Sequence, residues 1–254
     1  MNINEVLLDR VRMVTTHDLA TNDLLFRLTS LEDPSLQCTS EGEEVTDAIG
    51  SLITTLYRAK NSTFSATNSL ISLDLAAAQW GTKKEVATEN SQIETYTFEI
   101  LTVTDGKITL SNTPNKEIKE IHSIVDGEIG TKYVAGATVS ATEFVANGTE
   151  IEVPTGVTGK LFVEYTYLTS EAVQIVNKTG EYPEACKLLI YAIFKDKCNE
   201  NVKYAGVIVC EKAKLNPEQV ELALTSTGKH PFEFKMQKDY CDDEGELFRV
   251  IIAK

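Results

Sequence analysis

A two-residue alternation of apolar and polar residues constrains this chain more than any other feature. It is clearest in YTFEILTVTDGKITLSN (residues 96–112), where Asp105-Gly106 divides two alternating runs. Successive side chains of a β-strand point to opposite faces, so a period of two indicates strands. Asp-Gly is a preferred pair for a two-residue hairpin turn. The stretch therefore predicts a β-hairpin.

Short strands with turn residues between them continue after this hairpin. Glycine, Asn-Gly and proline separate them, which is typical of a small all-β sandwich. We predict such a sandwich over residues 95–170. Its further strands are IKEIHSIV (118–125), ATEFVA (141–146), TEIEVP (149–154) and GKLFVEYTY (159–167).

The residues on either side, 1–94 and 171–254, are predicted to form one discontinuous β domain interrupted by the sandwich. Before residue 95, strands are expected at Leu24–Ser30, within SLQCTSE (35–41) and over Ile49–Ser65. After residue 170, the expected strands are CKLLIYAIFKD (186–196), VKYAGVIVCEKAKL (202–215), QVELALTST (219–227), PFEFKM (231–236) and ELFRVIIAK (246–254).

Three segments of the first domain are predicted to be something other than strand. The first thirty residues are expected to be partly helical, because apolar residues recur at roughly helical spacing between Val6 and Val14. Glu32–Ser35 is predicted as a turn, with Pro34 as the breaker. The acidic stretch EGEEVTD (41–47) is predicted as an exposed loop.

One helix is predicted, in SLISLDLAAAQWG (69–81). Its apolar face would be Leu70, Leu73, Ala77 and Trp80, with Asn68 or Ser69 as the N-cap and Gly81 at the C-terminal end. Trp80, the only tryptophan, is predicted to be a core anchor.

The string TSTGKHPF (225–232) is the most enzyme-like in the chain. A phosphate-binding P-loop needs a glycine where Ala223 stands and a hydroxyl residue where His230 stands. The residues after Lys229 also alternate like a strand rather than opening a helix. We therefore interpret the segment as a strand–turn–strand connection.

The other candidates for chemistry are equally weak. Acidic residues in CDDEGE (241–246) are consecutive and lack the alternation of a calcium loop, so a hairpin turn is favoured. For His17 and Asp18 we favour a helix-end contact over catalysis. The five cysteines contain no CxxC pair and the three histidines are scattered, which favours buried reduced thiols over zinc ligands. We predict no catalytic, cofactor-binding or metal-binding residues, no cofactor and no enzymatic activity.

The formal net charge of −14, from 24 basic and 38 acidic residues, argues against nucleic-acid binding through a basic face. No apolar run is long enough to span a bilayer, and the N-terminus does not resemble a signal peptide. We predict a protein made in the cytoplasm, without membrane insertion.

Three stretches together resemble the major tail (tail tube) proteins of tailed bacteriophages, including those with an inserted Ig-like module. They are VTDAIGSLITTLYRAKNSTFSATNSLISLDLAAAQWG (45–81), the insert from DGKITLSNTP to GKLFVEYTY, and YAGVIVCEKAKLNPEQVELALTSTGKHPFEFKM (204–236). They cover most residues from about 45 onward.

The resemblance implies a mainly β fold: a tail-tube-like antiparallel sandwich or barrel with one flanking helix, plus a small Ig-like β-sandwich over 95–170. It implies a structural virion protein whose six copies form a ring, with rings stacked into a tube for DNA delivery. The implied partners are the protein itself, the tape measure, baseplate and terminator proteins, a sheath if the tail contracts, and DNA in transit. An acidic inner wall would let DNA slide.

Two alternatives remain open at this point. One is another phage β-structural subunit, such as a tail terminator, baseplate or head decoration protein. The other is a bacterial carbohydrate-binding or esterase-like β protein. The low aromatic content of 7% disfavours the second, and the sequence shows no aromatic cluster in the insert that would form a sugar-binding platform.

Overall fold

The computed structural model describes residues 5–199, 201–218, 220–225, 228–238 and 245–253. It is mainly β, with antiparallel sheets and a nearly closed barrel-like sheet, as the sequence predicted. The chain divides into two compact units. Unit 1 comprises residues 1–84 and 175–254, and unit 2 comprises Glu85–Gln174. The predicted sandwich over 95–170 falls within unit 2.

Unit 1 is built on an eight-stranded sheet and one helix. Its elements are β1 (Val6–Asp18), β2 (Leu24–Leu28), β3 (Leu31–Thr46), β4 (Leu52–Asn68), α1 (Leu73–Trp80), β14 (Ala185–Asp196), β15 (Lys203–Leu215), β16 (His230–Met236) and β17 (Arg249–Ala253). The strand order is β2-β1-β14-β15-β16-β4-β3, and β17 pairs with β15 beside β16. All pairs are antiparallel.

The core of unit 1 lies where these strands turn one apolar face inward against α1. Fully buried side chains include Val14, Leu188 and Phe234, and Leu75 of α1 joins the same cluster. Every second residue of β14 is buried from Cys186 to Ala192, which is the pattern of a strand with one face in a core.

The expected helix near the N-terminus is wrong, because β1 runs from Val6 to Asp18 and pairs with β14 along its length. Helical and strand spacing are hard to separate over nine residues, and pairing with β14, a strand far along the chain, decides the outcome. The expected turn at Glu32–Ser35 is also wrong. It is a bulge within β3, with Asp33 at φ 49°. A bulge tolerates Pro34 because its missing N–H leaves no ladder bond unmade. Nor is 41–47 a loop: β3 continues through Thr46.

The predicted helix is present as α1, and Gly81 ends it in the left-handed conformation at φ 72°. Ser72 caps the helix, by accepting a hydrogen bond from the Leu75 N–H, whereas Asn68 and Ser69 do not. The buried face differs from the predicted one: Leu75, Ala76, Ala77 and Gln79 point inward, so Ala77 is the one residue of the predicted face that is buried. Leu70 and Leu73 are exposed, and Trp80 is only partly buried, so its expected role as a core anchor is wrong.

The strand predicted at QVELALTST is wrong in its described part. Residues 220–225 form no strand, and Leu224 is 89% exposed. Gly228, two residues before β16, donates its N–H to the Thr225 carbonyl. The predicted hairpin turn at CDDEGE falls largely on residues 241–244, which lie outside the described residues.

Unit 2 is a seven-stranded sheet that curls until its ends nearly meet. Its strands are β6 (Ile93–Thr102), β7 (Lys107–Thr109), β8 (Glu120–Val125), β9 (Glu128–Ala135), β10 (Glu143–Asn147), β11 (Glu150–Glu152) and β12 (Lys160–Thr169), in the order β6-β12-β8-β9-β10-β11-β7. Strands β9 and β10 are parallel, and the other neighbours are antiparallel.

The turns of unit 2 follow the sequence closely. Asp105 and Gly106 take φ 52° and 75°, as a type I′ hairpin turn requires, and connect β6 to β7. Asp126-Gly127 forms a second turn of this kind, which leads into β9, a strand that the sequence analysis missed. The core of the unit contains Ile121, Phe144, Ile151, Leu161 and Val163.

Two further short strands, at the first and last residues of unit 2, pair with each other. β5 (Glu85–Val86) pairs with β13 (Val173–Gln174), so the first and last residues of the unit lie side by side. Ala87 adds a backbone hydrogen bond to the Ala172 carbonyl at 2.8 Å.

Candidate assembly surfaces

His230, the histidine of the most enzyme-like string, is a buried structural residue. Its Nε2 lies 2.6 Å from the Gln79 Oε1, and its Nδ1 accepts the Ser72 N–H. Gln79 in turn donates to the Pro231 carbonyl at 3.2 Å. These bonds join α1 to β16, and burial lowers the pKa of His230. Lys229 points away to an ion pair with Glu32, so the two residues do not form a catalytic pair.

The other residues that the sequence offered for chemistry also have structural roles or lie apart from one another. Asp18 accepts the N–H groups of Ala20 and Thr21 in the β1–β2 turn, which is a hairpin end and not the expected helix end. Among the described residues, no three His, Cys, Asp or Glu side chains are grouped as metal ligands would be. No described helix is long and apolar enough to cross a membrane.

The cysteines only partly follow the expectation of buried thiols. Cys186 and Cys210 are buried, and burial raises the pKa of their thiols to about 12 and about 11 respectively. Cys38 and Cys198 are exposed, so the expectation is wrong for these two. Cys241 lies outside the described residues.

The outer part of the β3–β4 hairpin, residues 37–61, forms what we call the arm. Nearly all its side chains are exposed on both faces, whereas Phe64 and Ala66 nearer the base enter the core. At about 3.3 Å per residue, the nine residues from Thr39 to Asp47 extend about 30 Å. A hairpin with no core of its own is marginally stable in water, so the arm has the form of a contact element.

The end of the arm is ordered by a compact turn and carries apolar side chains. The Asp47 carboxylate accepts the N–H groups of Ile49 and Ser51, at 3.0 and 2.7 Å. Ile49 is 88% exposed, and Leu52, Ile53, Leu56 and Tyr57 are exposed as well. Residues 41–57 contain four acidic residues and no basic one. An exposed apolar surface of this kind marks an interaction site.

A second surface is the part of the main sheet formed by β1, β14, β15 and β17, which has an unpaired edge on each side. β2 pairs only with Val14–His17 of β1, so the first half of β1 has no described neighbour on that side. At the other side, β17 pairs with Ala205–Val209 of β15, and no described strand covers its outer edge. Unpaired strand edges are templates for pairing with another chain.

Comparison with protein families agrees with this architecture. A family model, described as the YomU/Tube protein family, matches residues 6–250 and so covers both units. The chain belongs to the YomU/Tube protein family. No individual curated protein matches it. The family description points to a phage tube-related structural protein.

The acidic charge of this YomU/Tube protein is concentrated on two parts of the chain. Residues 85–174 hold 14 acidic and 5 basic residues, a net charge of −9. The arm residues 41–57 contribute −4, which leaves the rest of unit 1 close to neutral. On the open face of the four-stranded section, Lys195 pairs with Asp9 at 2.7 Å and Arg249 pairs with Glu211. That face gives no support to an acidic wall, which stays a prediction.

One exposed surface of the protein, on β6, was not predicted from the sequence. Three apolar residues of β6 point to solvent, with Tyr96 74%, Phe98 63% and Ile100 50% exposed. The ring of Phe98 stacks on Phe162 of β12, at 5.7 Å between centroids. The statement that the insert has no aromatic cluster is therefore wrong. The alternation in YTFEI was the available signal, but it predicts the apolar side toward the core, and the structure has it toward solvent.

Proposed function

We propose that this protein is the structural subunit of a phage tail tube, with copies joined into closed rings and rings stacked into a conduit for DNA. Family membership supports a tube-related protein. The observation that carries the finer proposal is the pair of unpaired edges on opposite sides of one sheet section. The proposed role is structural and not enzymatic.

Ring closure follows from these edges. If β17 of one copy pairs with the first half of β1 in the next, each copy uses two different edges. Such a head-to-tail contact generates a ring when the rotation closes, and the sheet sections become one continuous wall. The resemblance to tail tube proteins implies six copies per ring.

Ring stacking is assigned to the arm. Its length of about 30 Å is sufficient to cross from one ring to the next. Burying Ile49, Leu52 and Tyr57 against a neighbour would stabilise the stack by about 25 cal/mol for each Å² of apolar surface removed from water.

Unit 2 is proposed to lie on the outside of the tube as an Ig-like module. An insertion on the outside leaves the wall of unit 1 uninterrupted. The implied partners remain those of a tail tube: further copies, the tape measure, the baseplate and terminator proteins, and DNA in transit.

Negative-stain electron microscopy over a range of protein concentrations tests the proposal. Hollow tubes or stacked rings are expected. Rings that never stack would instead favour a terminator or decoration role. Monodisperse monomers at all concentrations would contradict self-assembly.

Proline substitutions in β17 test the ring contact. Adjacent residues of a strand direct their N–H groups to opposite sides, so only one of Val250 and Ile251 offers its N–H to the free edge. One of the variants Val250→Pro and Ile251→Pro should fold normally and remain monomeric, while the other loses a bond to β15 and is destabilised. Rings formed by both variants would refute the β17 contact.

Ile49→Asp tests the arm, with Leu224→Asp as its matched control. The two side chains are 88% and 89% exposed, but Leu224 lies outside the arm. We expect Ile49→Asp to give single rings and Leu224→Asp to give tubes of normal length. Equal tube formation by both variants would exclude the arm from stacking.

A further inference from the structure

The outer face of unit 2 has an inverted hydrophobic pattern. In β6 the apolar residues Tyr96, Phe98 and Ile100 face solvent, while Thr97 and Glu99 lie on the core side. In an ordinary one-sided sheet the arrangement is the reverse. The ordinary tendency of apolar side chains to be buried therefore does not explain the directions of the β6 side chains.

The inversion is fixed by bonds on the core side. The Glu99 carboxylate accepts hydrogen bonds from the Ser111 N–H and hydroxyl, both at 2.9 Å, and from the Tyr165 hydroxyl. Burial opposes the charge, yet these donors together lower the pKa of Glu99. A slip of one residue would move the aromatic rings inward and break all three bonds. The exposed rings are therefore a specified feature of the strand.

The exposed residues form a continuous surface across two strands. The β6–β12 register places Phe162 opposite Ile100, Glu164 opposite Phe98 and Thr166 opposite Tyr96. Phe98 and Phe162 are close to parallel, with 27° between their planes. We call Tyr96, Phe98, Phe162, Glu164 and Thr166 the aromatic face.

A groove borders the aromatic face on the side of β8. Its volume is about 600 Å³, and its lining includes Tyr96, Phe162, Glu164, His122 and the loop residue Lys116. This is within the usual range of small-ligand sites, which combine apolar walls with a few polar groups. Within the described part of the chain, the exposed side chain of Glu164 makes no hydrogen bond or ion pair, so its carboxylate is available to a ligand.

The exposed apolar surface is that of a small docking site. Tyr96, Phe98, Ile100 and the nearby Ile129 together expose about 450 Å² of apolar surface, from their exposed fractions and the usual size of such side chains. The patch is large enough for a small ligand or a segment of a thin polymer.

The net charge of unit 2 excludes polyanions as ligands of the aromatic face. With a net charge of −9, unit 2 repels polyanions such as nucleic acid and acidic membranes. Pyranose rings have C–H faces that pack against aromatic rings, and their hydroxyls donate to carboxylates such as that of Glu164. We propose that the aromatic face binds an uncharged polysaccharide. This binding goes beyond tube formation and does not depend on it.

Binding isotherms of the full-length protein on insoluble chitin, insoluble cellulose and cross-linked dextran test the proposal. We expect saturable binding to at least one polymer. The variant Phe98→Ala, which removes one of the two stacked rings, should weaken polymer binding by about threefold to tenfold. The double variant Tyr96→Ala/Phe98→Ala should weaken it by more. Glu164→Gln should weaken it while leaving the rings in place.

Tyr182→Ala is the matched control, because Tyr182 is 66% exposed in unit 1. It should bind like the unmodified protein, and thermal unfolding should show that all variants are folded. Binding to none of the three polymers would overturn the proposal, as would binding that the double variant retains. If the double variant instead lost self-association in sedimentation, the face would be a contact between copies. Electron microscopy of the same samples reports tube formation separately.

Discussion

Replacing His230 should change how the stability of unit 1 depends on pH. His230 is fully buried between β16 and α1 and bonded to Gln79 and Ser72. Burial lowers its pKa in the folded protein. The unfolded chain therefore takes up the proton first as the pH falls, and stability is lost below the ordinary histidine pKa of about 6.5.

The size of the effect follows from this difference. If the folded protein stays unprotonated, linkage with an unfolded pKa of about 6.5 removes about 2 kcal/mol of the free energy of unfolding between pH 7 and pH 5. His230→Gln keeps a donor and an acceptor but cannot titrate. It should cost about 1 kcal/mol at pH 7 through poorer hydrogen-bond geometry, and then lose about 2 kcal/mol less than the unmodified protein on going to pH 5.

Urea unfolding followed by the fluorescence of Trp80, which is adjacent to Gln79 in α1, measures these values. The protein is kept at a concentration where it does not assemble, so that unfolding alone is observed. Carboxylates that protonate over the same range affect both proteins equally and cancel in the comparison. His17→Gln replaces a histidine outside the core and serves as the control. Equal losses in His230→Gln and the unmodified protein would refute the reasoning.

Three further changes have expected outcomes that thermal or urea unfolding can check. Ser72→Ala removes the N-cap of α1 and should destabilise unit 1 by about 0.5–2 kcal/mol, whereas Ser72→Asp should be close to neutral; equal losses would exclude capping. Gly206→Ala places a Cβ 2.2 Å from the Phe194 ring and should destabilise β15, less so when Phe194 is also replaced by leucine; an unchanged penalty in that background would exclude the clash. Ala59→Gly should stabilise the arm by about 1 kcal/mol, because Ala59 has φ 48° within β4 and a residue with a Cβ is strained there. Slower amide hydrogen exchange in the arm is the expected result, and faster exchange would contradict the prediction.

Features set by a few adjacent residues were predictable from the sequence. The Asp105-Gly106 turn and the end of α1 at Gly81 depend on left-handed backbone positions that these residues favour. Features set by distant partners were not. Val6–Asp18 is a strand because β14 lies beside it, and nothing local separates that outcome from a helix.

The candidate surfaces were harder to predict than the fold. The arm comprises parts of two predicted strands and the predicted loop between them, and only the register between β3 and β4 shows that they form one hairpin. The aromatic face depends on which side of β6 is buried. That choice is made by Glu99 through Ser111 and Tyr165, which are 12 and 66 residues away. Period-two alternation by itself predicts the opposite arrangement, because apolar residues of such a strand ordinarily face the core.

The short pairing of β5 with β13 makes unit 2 separable from the rest of the chain. Because Val86 and Val173 are neighbours, the two ends of the insertion are already at the distance that a tight turn spans. Replacing the residues between them with a short Gly-Ser connection therefore requires no change in the backbone of unit 1. The same position can receive an unrelated folded domain whose termini are adjacent. A tube built from such chimeras would display one foreign domain per subunit at regular intervals along its length.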